Sequence, residues 1–234
     1  MQLNKNKYHI GKINILELSN NYGSPLYVYN GHKIEEQYDK IVSAFNKCPL
    51  KIKYACKALT NINILRLLQL KGAGLDAVSI QEVQLGLKAG FKSENIIFTP
   101  NSVSFQEIVD ATELGVQINV DNISMLEQFG NKYGNTKGCC IRINPHILAG
   151  GHSIIQTGHI DSKFGISIHQ LRHVLRIVHK YKMRINGLHM HTGSDILDPT
   201  VFLRGMEILF DVAREFNDLE FIDFGSGFKV AYSP

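Results

Sequence analysis

The sequence has few cysteines, no long apolar run and no concentration of charge of one sign, and each shortage removes a class of function. The four cysteines, Cys48, Cys56, Cys139 and Cys140, have no CxxC spacing, so neither a disulfide framework nor a zinc site is indicated. Reduced thiols, and with them a cytoplasmic location, are the expectation. No stretch approaches the roughly 18 apolar residues of a membrane-spanning helix, and residues 1–20 lack the apolar core of a signal peptide. Lys+Arg 25 against Asp+Glu 21 leaves +4, spread along the chain with no basic stripe to suggest nucleic acid. No early GxGxxG supports a dinucleotide fold. A soluble protein without a nucleic-acid or membrane partner is what remains.

What the sequence does hold is a repeat. Its 234 residues are 44% hydrophobic, enough for one large core and a small appendage. Apolar, β-rich segments recur at 51–56, 74–79, 95–99, 116–120, 138–144, 184–191 and 220–225, the first five starting about 22 residues apart. Helical patterns lie between them. Asn61–Leu70 stops before Gly72, and Ser79–Glu82 and Ser104–Glu107 read as capping boxes whose helices end near Gly90 and Gly115. Ser124–Glu127 is a third candidate box, with Asp121 or Asn122 as competing caps, and Pro199 opens a helix over 199–216. Strand–helix alternation of this period means βαβ units on a parallel sheet, and its evenness favours a (β/α)8 TIM-type barrel.

Two segments interrupt the pattern. Residues 1–30, with the strand-like Pro25–Tyr29 before a helix at 32–47, begin outside the barrel. Residues 145–166, rich in Gly and His, form a long insertion after the fifth strand, where barrels keep functional loops. Only seven strands precede Pro234. Seven of eight leave two unpaired edges and an open core, so the expectation is an N-terminal fragment, truncated after strand seven.

The strand ends carry the chemistry. Lys57 closes the run Lys51-Ile-Lys-Tyr-Ala-Cys-Lys57, and period two places Lys53, Ala55 and Lys57 on one face. An ammonium ending a buried strand costs several kcal/mol to desolvate unless it pairs, loses its proton or is bonded covalently, so Lys57 is a candidate nucleophile toward an aldehyde. The alternative is a snorkelling lysine. Asp76 ends the second strand and either orients a catalytic group or makes local turn bonds. Arg142, flanked by apolar residues on the fifth, is either paired inside the barrel or set against a cofactor ring substituent.

His189 and His191 share a face of the sixth strand. An HxH metal site, a satisfied structural pair and an imidazole stacked on a planar cofactor all fit; with no third ligand at matching spacing, no metal is assigned. Thr192–Ser194 then turn toward an anion. Gly225-Ser226-Gly227 after the seventh strand reads as a phosphate nest, at a position where barrels often bind phosphate. An amine, a stacking imidazole and a phosphate nest on one barrel describe a pyridoxal phosphate site.

At these residues the chain resembles the fold-type III pyridoxal phosphate decarboxylases, of the alanine racemase-like barrel. The similarity rests on Tyr54-Ala-Cys-Lys57-Ala, Gly72-Ala-Gly-Leu-Asp76-Ala-Val-Ser79, Ser162-Lys163-Phe-Gly165, His189-Met-His191-Thr-Gly-Ser194 and Asp223-Phe-Gly-Ser-Gly227. It runs from about residue 22 to 234 and is strongest to the branch that converts meso-2,6-diaminoheptanedioate into L-lysine and CO2, the last step of lysine biosynthesis. The resemblance implies that Lys57 bonds the cofactor aldehyde and handles the proton at the reacting carbon. It implies that His191 stacks on the ring, that Ser194 and the Gly225–Gly227 backbone hold the phosphate, and that Asp76 supports the lysine. Ser226 departs from the family's third glycine, tolerably if its φ is negative.

The resemblance further implies a homodimer in the full-length form and a C-terminal β domain, to which residues 1–30 would belong while 31–234 form the barrel. Family members draw an acidic partner for the pyridine nitrogen from an eighth strand. They take substrate-binding arginine and tyrosine, and a cysteine of the partner subunit, from the β domain. The expectation is that the 234-residue chain alone has little activity. Rival readings are a decarboxylase for ornithine, arginine or carboxynorspermidine, a non-catalytic pyridoxal phosphate carrier barrel, and a cofactor-free Schiff-base aldolase.

Overall fold

The computed structural model describes residues 2–4, 6–147 and 162–231. It opens with a three-stranded antiparallel meander, β1 (Gln2–Asn4), β2 (Lys7–Ile10) and β3 (Ile13–Asn14), which no sequence pattern had announced. Strands this short, mixing Asn, Lys and His with isolated apolar residues, carry no usable alternation. Asn14 then caps α1 (Ile15–Tyr22), its side chain accepting from the Leu16 N–H.

The strand expected at Pro25–Tyr29 is absent: the segment is extended but pairs with no sheet, and Tyr27 is 87% exposed. β-prone residues make a strand only where a neighbour supplies the hydrogen bonds, and no described strand pairs with this segment. Helix α2 (Gly31–Ala44) follows, capped by Asn30.

Seven parallel strands then build one curled sheet: β4 (Lys53–Ala55), β5 (Gly74–Ala77), β6 (Ile96–Phe98), β7 (Gln117–Val120), β8 (Gly138–Asn144), β10 (Arg184–His189) and β11 (Phe221–Asp223). A two-residue β9 (Ile166–Ser167) adds to the end of β8. Each of the seven pairs with the next in the chain, and among the described residues β4 and β11 pair on one side only. This is the wall of a TIM-type barrel carrying seven strands. The Gly- and His-rich insertion after β8 lies largely outside the described residues.

The helices are α3 (Ile62–Leu70), α4 (Ile80–Ala89), α5 (Phe105–Glu113), α6 (Ile123–Tyr133), α7 (Leu171–Tyr181) and α8 (Thr200–Ala213). Ser104 and Glu107 form the expected reciprocal capping box. At α4 only half the box forms: Ser79 accepts from the Glu82 N–H, while the Glu82 carboxylate reaches back to the Val78 N–H at 2.8 Å. Ser124 caps nothing, because Asn122 has already taken the Met125 N–H. Ahead of α8 the Asp198 carboxylate accepts from the Thr200 N–H at 2.9 Å.

One face of the sheet packs under the helices. Leu75, Ile96, Phe98, Ile118, Val120, Ile141, Ile143 and Leu188 meet Leu65, Val83, Ile108, Leu126, Phe129, Val174, Ile177 and Leu209 in a single core. Burying each such side chain contributes about 1.5–3 kcal/mol. Alternation turns the intervening residues inward, and beside Ile97 and Cys140 these include Asp76, Asn119, Arg142, His189 and Asp223. The fold therefore has a greasy outside seam and a charged inside.

Candidate active site

All the residues singled out from the sequence reach the rim where the parallel strands end. Asp76 stands in β5 and Arg142 in β8; His191 and Ser194 follow β10, and Gly225–Gly227 follow β11. Lys57 comes with them, but not as a strand residue. Pairing of β4 with β5 ends at Ala55↔Asp76, and Cys56–Ala58 turn as a single 3-10 loop closed by Leu59 N–H to Cys56 carbonyl at 3.1 Å. Lys57 is exposed on that turn. The desolvation argument therefore belongs to another amine.

That amine is Lys53. Its stem lies over Gly74, where an added Cβ would stand 2.6 Å from Lys53 Cδ. Burial lowers its pKa to about 8, with Lys51 pushing the same way and Asp223 and Asp76 opposing. The period-two reading put Lys53 on the same face as Lys57 but gave it no role.

The carboxylates inside the wall are held toward their neutral forms. Burial drives the Asp76 pKa to about 7, and Asp223 adds to the rise; Thr99, Lys57 and Arg142 pull it down. One Asp76 oxygen, Oδ1, is shielded from solvent without a hydrogen-bond partner. Asp223 is likewise raised by burial, although it accepts from the Gly225 N–H at 2.7 Å. Arg142 is buried with its guanidinium 4.8 Å from the centre of the Phe164 ring, within the field of Asp121, Asp76 and Asp223.

His191 is neutral at physiological pH. Burial lowers its pKa to about 4, helped by the nearby charges of Arg142 and Lys57. His189, fully enclosed one turn of the pleat below, is shifted further in the same direction, again mainly by burial. A flat, uncharged imidazole at the mouth is suited to lie against a planar ring. Among the described residues no cluster of three or more metal-ligating side chains exists.

The two loops beyond β10 and β11 are stitched together. Ile196 N–H bonds the Gly227 carbonyl at 2.9 Å, Lys229 N–H returns to the Ile196 carbonyl at 3.0 Å, and Lys229 Nζ meets Asp195 at 2.9 Å. Gly225 (φ 68) backs onto His191, whose Nδ1 would be 3.0 Å from an added Cβ. Gly227 (φ 123) passes so near Gly193 that a Cβ would overlap the Gly193 carbonyl oxygen. Ser226, between them, keeps a conformation open to any L-residue, since it is not among the positive-φ positions. The result is a bare backbone cradle of N–H groups beside His191, with the Ser194 side chain exposed at its edge.

Sequence reasoning overlooked Thr99 and Asn119, which line the same interior. Asn119 Nδ2 lies 2.7 Å from His189 Nδ1. The signal was present: in a parallel strand buried on both faces, a lone amide between Ile118 and Val120 is out of character.

Comparison with known proteins points the same way as the geometry. Residues 31–234 match the family model described as pyridoxal-dependent decarboxylase, pyridoxal binding domain. The diaminopimelate decarboxylase of Methanothermobacter thermautotrophicus is 37% identical over 232 residues, which are 96% of this chain and 54% of that protein. The crystal structure of diaminopimelate decarboxylase from Helicobacter pylori complexed with L-lysine superposes with a TM-score of 0.82 at 32% identity, covering 94% of this chain and 58% of that one. A diaminopimelate decarboxylase from M. jannaschii in co-complex with L-lysine gives a TM-score of 0.87 at 26% identity, covering 100% of this chain and 58% of that one. The chain thus spans little more than half the length of the relatives it matches.

Proposed function

Starting from the fact that the chain belongs to the pyridoxal-dependent decarboxylases, through their pyridoxal-binding domain, we propose that the whole protein decarboxylates meso-2,6-diaminoheptanedioate to L-lysine. The cradle formed by Gly225, Ser226 and Gly227 against Gly193 carries the reading, because two backbone loops meet there too closely for a side chain on Gly225 or Gly227, as a backbone anion nest requires. The interior fits pyridoxal phosphate on further counts: an amine at the mouth, a neutral imidazole beside the cradle, and an unpartnered carboxylate oxygen between strands.

In this reading Lys57 bonds the cofactor aldehyde and later holds the proton delivered to the substrate Cα. Its place on a turn gives it the reach and exposure to be displaced and to return. His191 lies against the ring, and its neutrality keeps a positive charge off the ring face. Ser194 and the Ser226 and Gly227 N–H groups would hold the phosphate, with Gly225 shaping the turn that presents them. Asp76 faces Lys57, and burial raises its pKa to about 7. Arg142, held beside Phe164, would meet a substituent of the cofactor ring. Bound pyridoxal phosphate supplies the electron sink that accepts the pair left when CO2 departs. Residues 1–30 belong with a second, β-rich domain, the working form is a cytoplasmic homodimer, and the substrate is a small amino acid.

The decisive experiment is borohydride reduction of the protein mixed with pyridoxal phosphate, followed by peptide mapping. A label on Lys57 supports the site. A label on Lys53, or none, overturns it. Release of CO2 from meso-2,6-diaminoheptanedioate but not from ornithine, arginine or lysine, by the protein at the full length of its relatives, tests the substrate.

A further inference from the structure

The chains leaving β10 and β11 part at the strand ends and rejoin further on, and the phosphate cradle lies in the stretch between. Their last strand pair is His189 with Asp223, and they meet again at a parallel bridge of Ile196 with Phe228. Residues 190–195 therefore face 224–227, the β10 side being the longer. The longer side turns at Gly193 (φ 145) and Asp195 (φ 60), the latter in a left-handed conformation that Asp accepts more readily than most residues.

Three ties hold the junction. Ile196 gives its N–H to the Gly227 carbonyl at 2.9 Å and takes the Lys229 N–H on its own carbonyl at 3.0 Å. The Phe228 ring lies 4.5 Å from the Phe202 ring at 33°, and Phe202, buried in the first turn of α8, packs with Ile196 and Val201. Asp195 and Lys229 form an ion pair of 2.9 Å, each side chain less than half exposed. Between this junction and the strands, Gly227 approaches the Gly193 carbonyl and Gly225 approaches the Met190 carbonyl, backbone against backbone. Any play in the ties opens those contacts first.

We infer that Phe228, Asp195 and Lys229 are positioning residues: they latch the rejoined loops to α8, fix the width of the backbone cradle, and so set how much the phosphate adds to cofactor affinity. The latch rests on the cradle being the phosphate site. Its physical basis is preorganisation, since N–H groups already held at binding distance need no ordering when the anion arrives. The ion pair separates this from simple attraction. Asp195 follows Ser194 directly, so by charge alone its carboxylate repels a phosphate while Lys229 attracts one. Charge alone makes Asp195→Asn bind phosphate more tightly and Lys229→Met less tightly. A latch makes both bind less tightly.

The test compares two ligands in the same protein: pyridoxal phosphate, and pyridoxal, which carries the aldehyde and ring but no phosphate. Each is titrated by the visible absorbance of its lysine-bound form, and the ratio of affinities reports the cradle. Phe228→Ala should cut the preference for pyridoxal phosphate about tenfold while leaving pyridoxal affinity unchanged, and Phe228→Tyr, which keeps the ring, should restore the wild-type ratio. Asp195→Asn and Lys229→Met should each cut it about threefold, and the double variant no further than either single. A Phe228→Ala protein that keeps the wild-type ratio, or loses both ligands equally, overturns the latch, as does tighter phosphate binding by Asp195→Asn. A wild-type protein with no preference between the two ligands overturns the cradle itself and the latch with it, so the two failures are told apart.

Discussion

Replacing Gly227 with alanine should separate the phosphate cradle from the rest of the barrel. Gly227 has a φ of 123, outside the left-handed well that a non-glycine residue enters at modest cost. Holding an alanine there costs about 1–3 kcal/mol. The added methyl also overlaps the Gly193 carbonyl oxygen and stands 3.4 Å from Ser194 Cα. Those are backbone atoms, so relief comes only by moving one loop off the other and weakening the Ile196 N–H to Gly227 bond of 2.9 Å, worth about 1 kcal/mol. Together these amount to about 3 kcal/mol against the binding geometry, or roughly 100-fold in pyridoxal phosphate affinity. Titration of the visible absorbance of the lysine-bound cofactor reads it directly. Gly11→Ala is the control: its φ of 60 lies within the left-handed well and brings a milder strain, and a Cβ there meets nothing within 4 Å. It should lose about 1 kcal/mol of stability and no cofactor affinity. Cofactor binding by Gly227→Ala within about threefold of wild type would refute the reasoning.

Other outcomes follow from the same geometry. Asp76 holds its proton to about pH 7 in the fold against 3.8 in a model compound, so stability falls as pH rises between those values and is level above. Asp76→Asn should therefore stabilise the unloaded protein by about 1–3 kcal/mol near pH 8 and by almost nothing near pH 4, measured by urea unfolding. His191 has the opposite slope: its depressed pKa of about 4 removes stability as pH falls from 6.5, and His191→Phe should flatten the acid limb of the same curve. Asn122→Ala and Ser104→Ala each remove a side-chain cap and should cost about 0.5–2 kcal/mol, whereas Ser124→Ala should leave the melting temperature unchanged. Lys57→Ala should abolish borohydride labelling while Lys53→Met leaves it intact.

The seven parallel strands were legible in the sequence because their short apolar runs recur at a regular spacing between helical patterns, several with a side-chain cap such as Asn61, Ser79, Ser104 or Asn122. Ser104 and Glu107 show the limit of that legibility beside Ser79 and Glu82: the same four-residue spacing closes one box and leaves the other shifted by a residue, since Val78 presents its N–H where the carboxylate can reach it. Lys57 was expected to close a strand but stands on the turn after it, because nothing in Ala55-Cys56-Lys57 marks where pairing stops. Asn119 and Thr99 were invisible as a pair, for their meaning comes only from His189, seventy positions beyond Asn119. Local spacing reports helices and turns; a hydrogen bond across a barrel interior is a property of the closed shape.

The sheet pairs every parallel strand with its successor in the chain, and this has a kinetic meaning. Among the described residues each of these strands pairs only with its neighbours in the chain order, so the wall can grow one βα unit at a time. Lys57 enters with the first of these units and Gly227 with the last, so no partly folded form holds both the amine and the cradle. A ligand that bridges them meets only the finished wall. It should slow unfolding in proportion to its concentration and leave the rate of folding untouched.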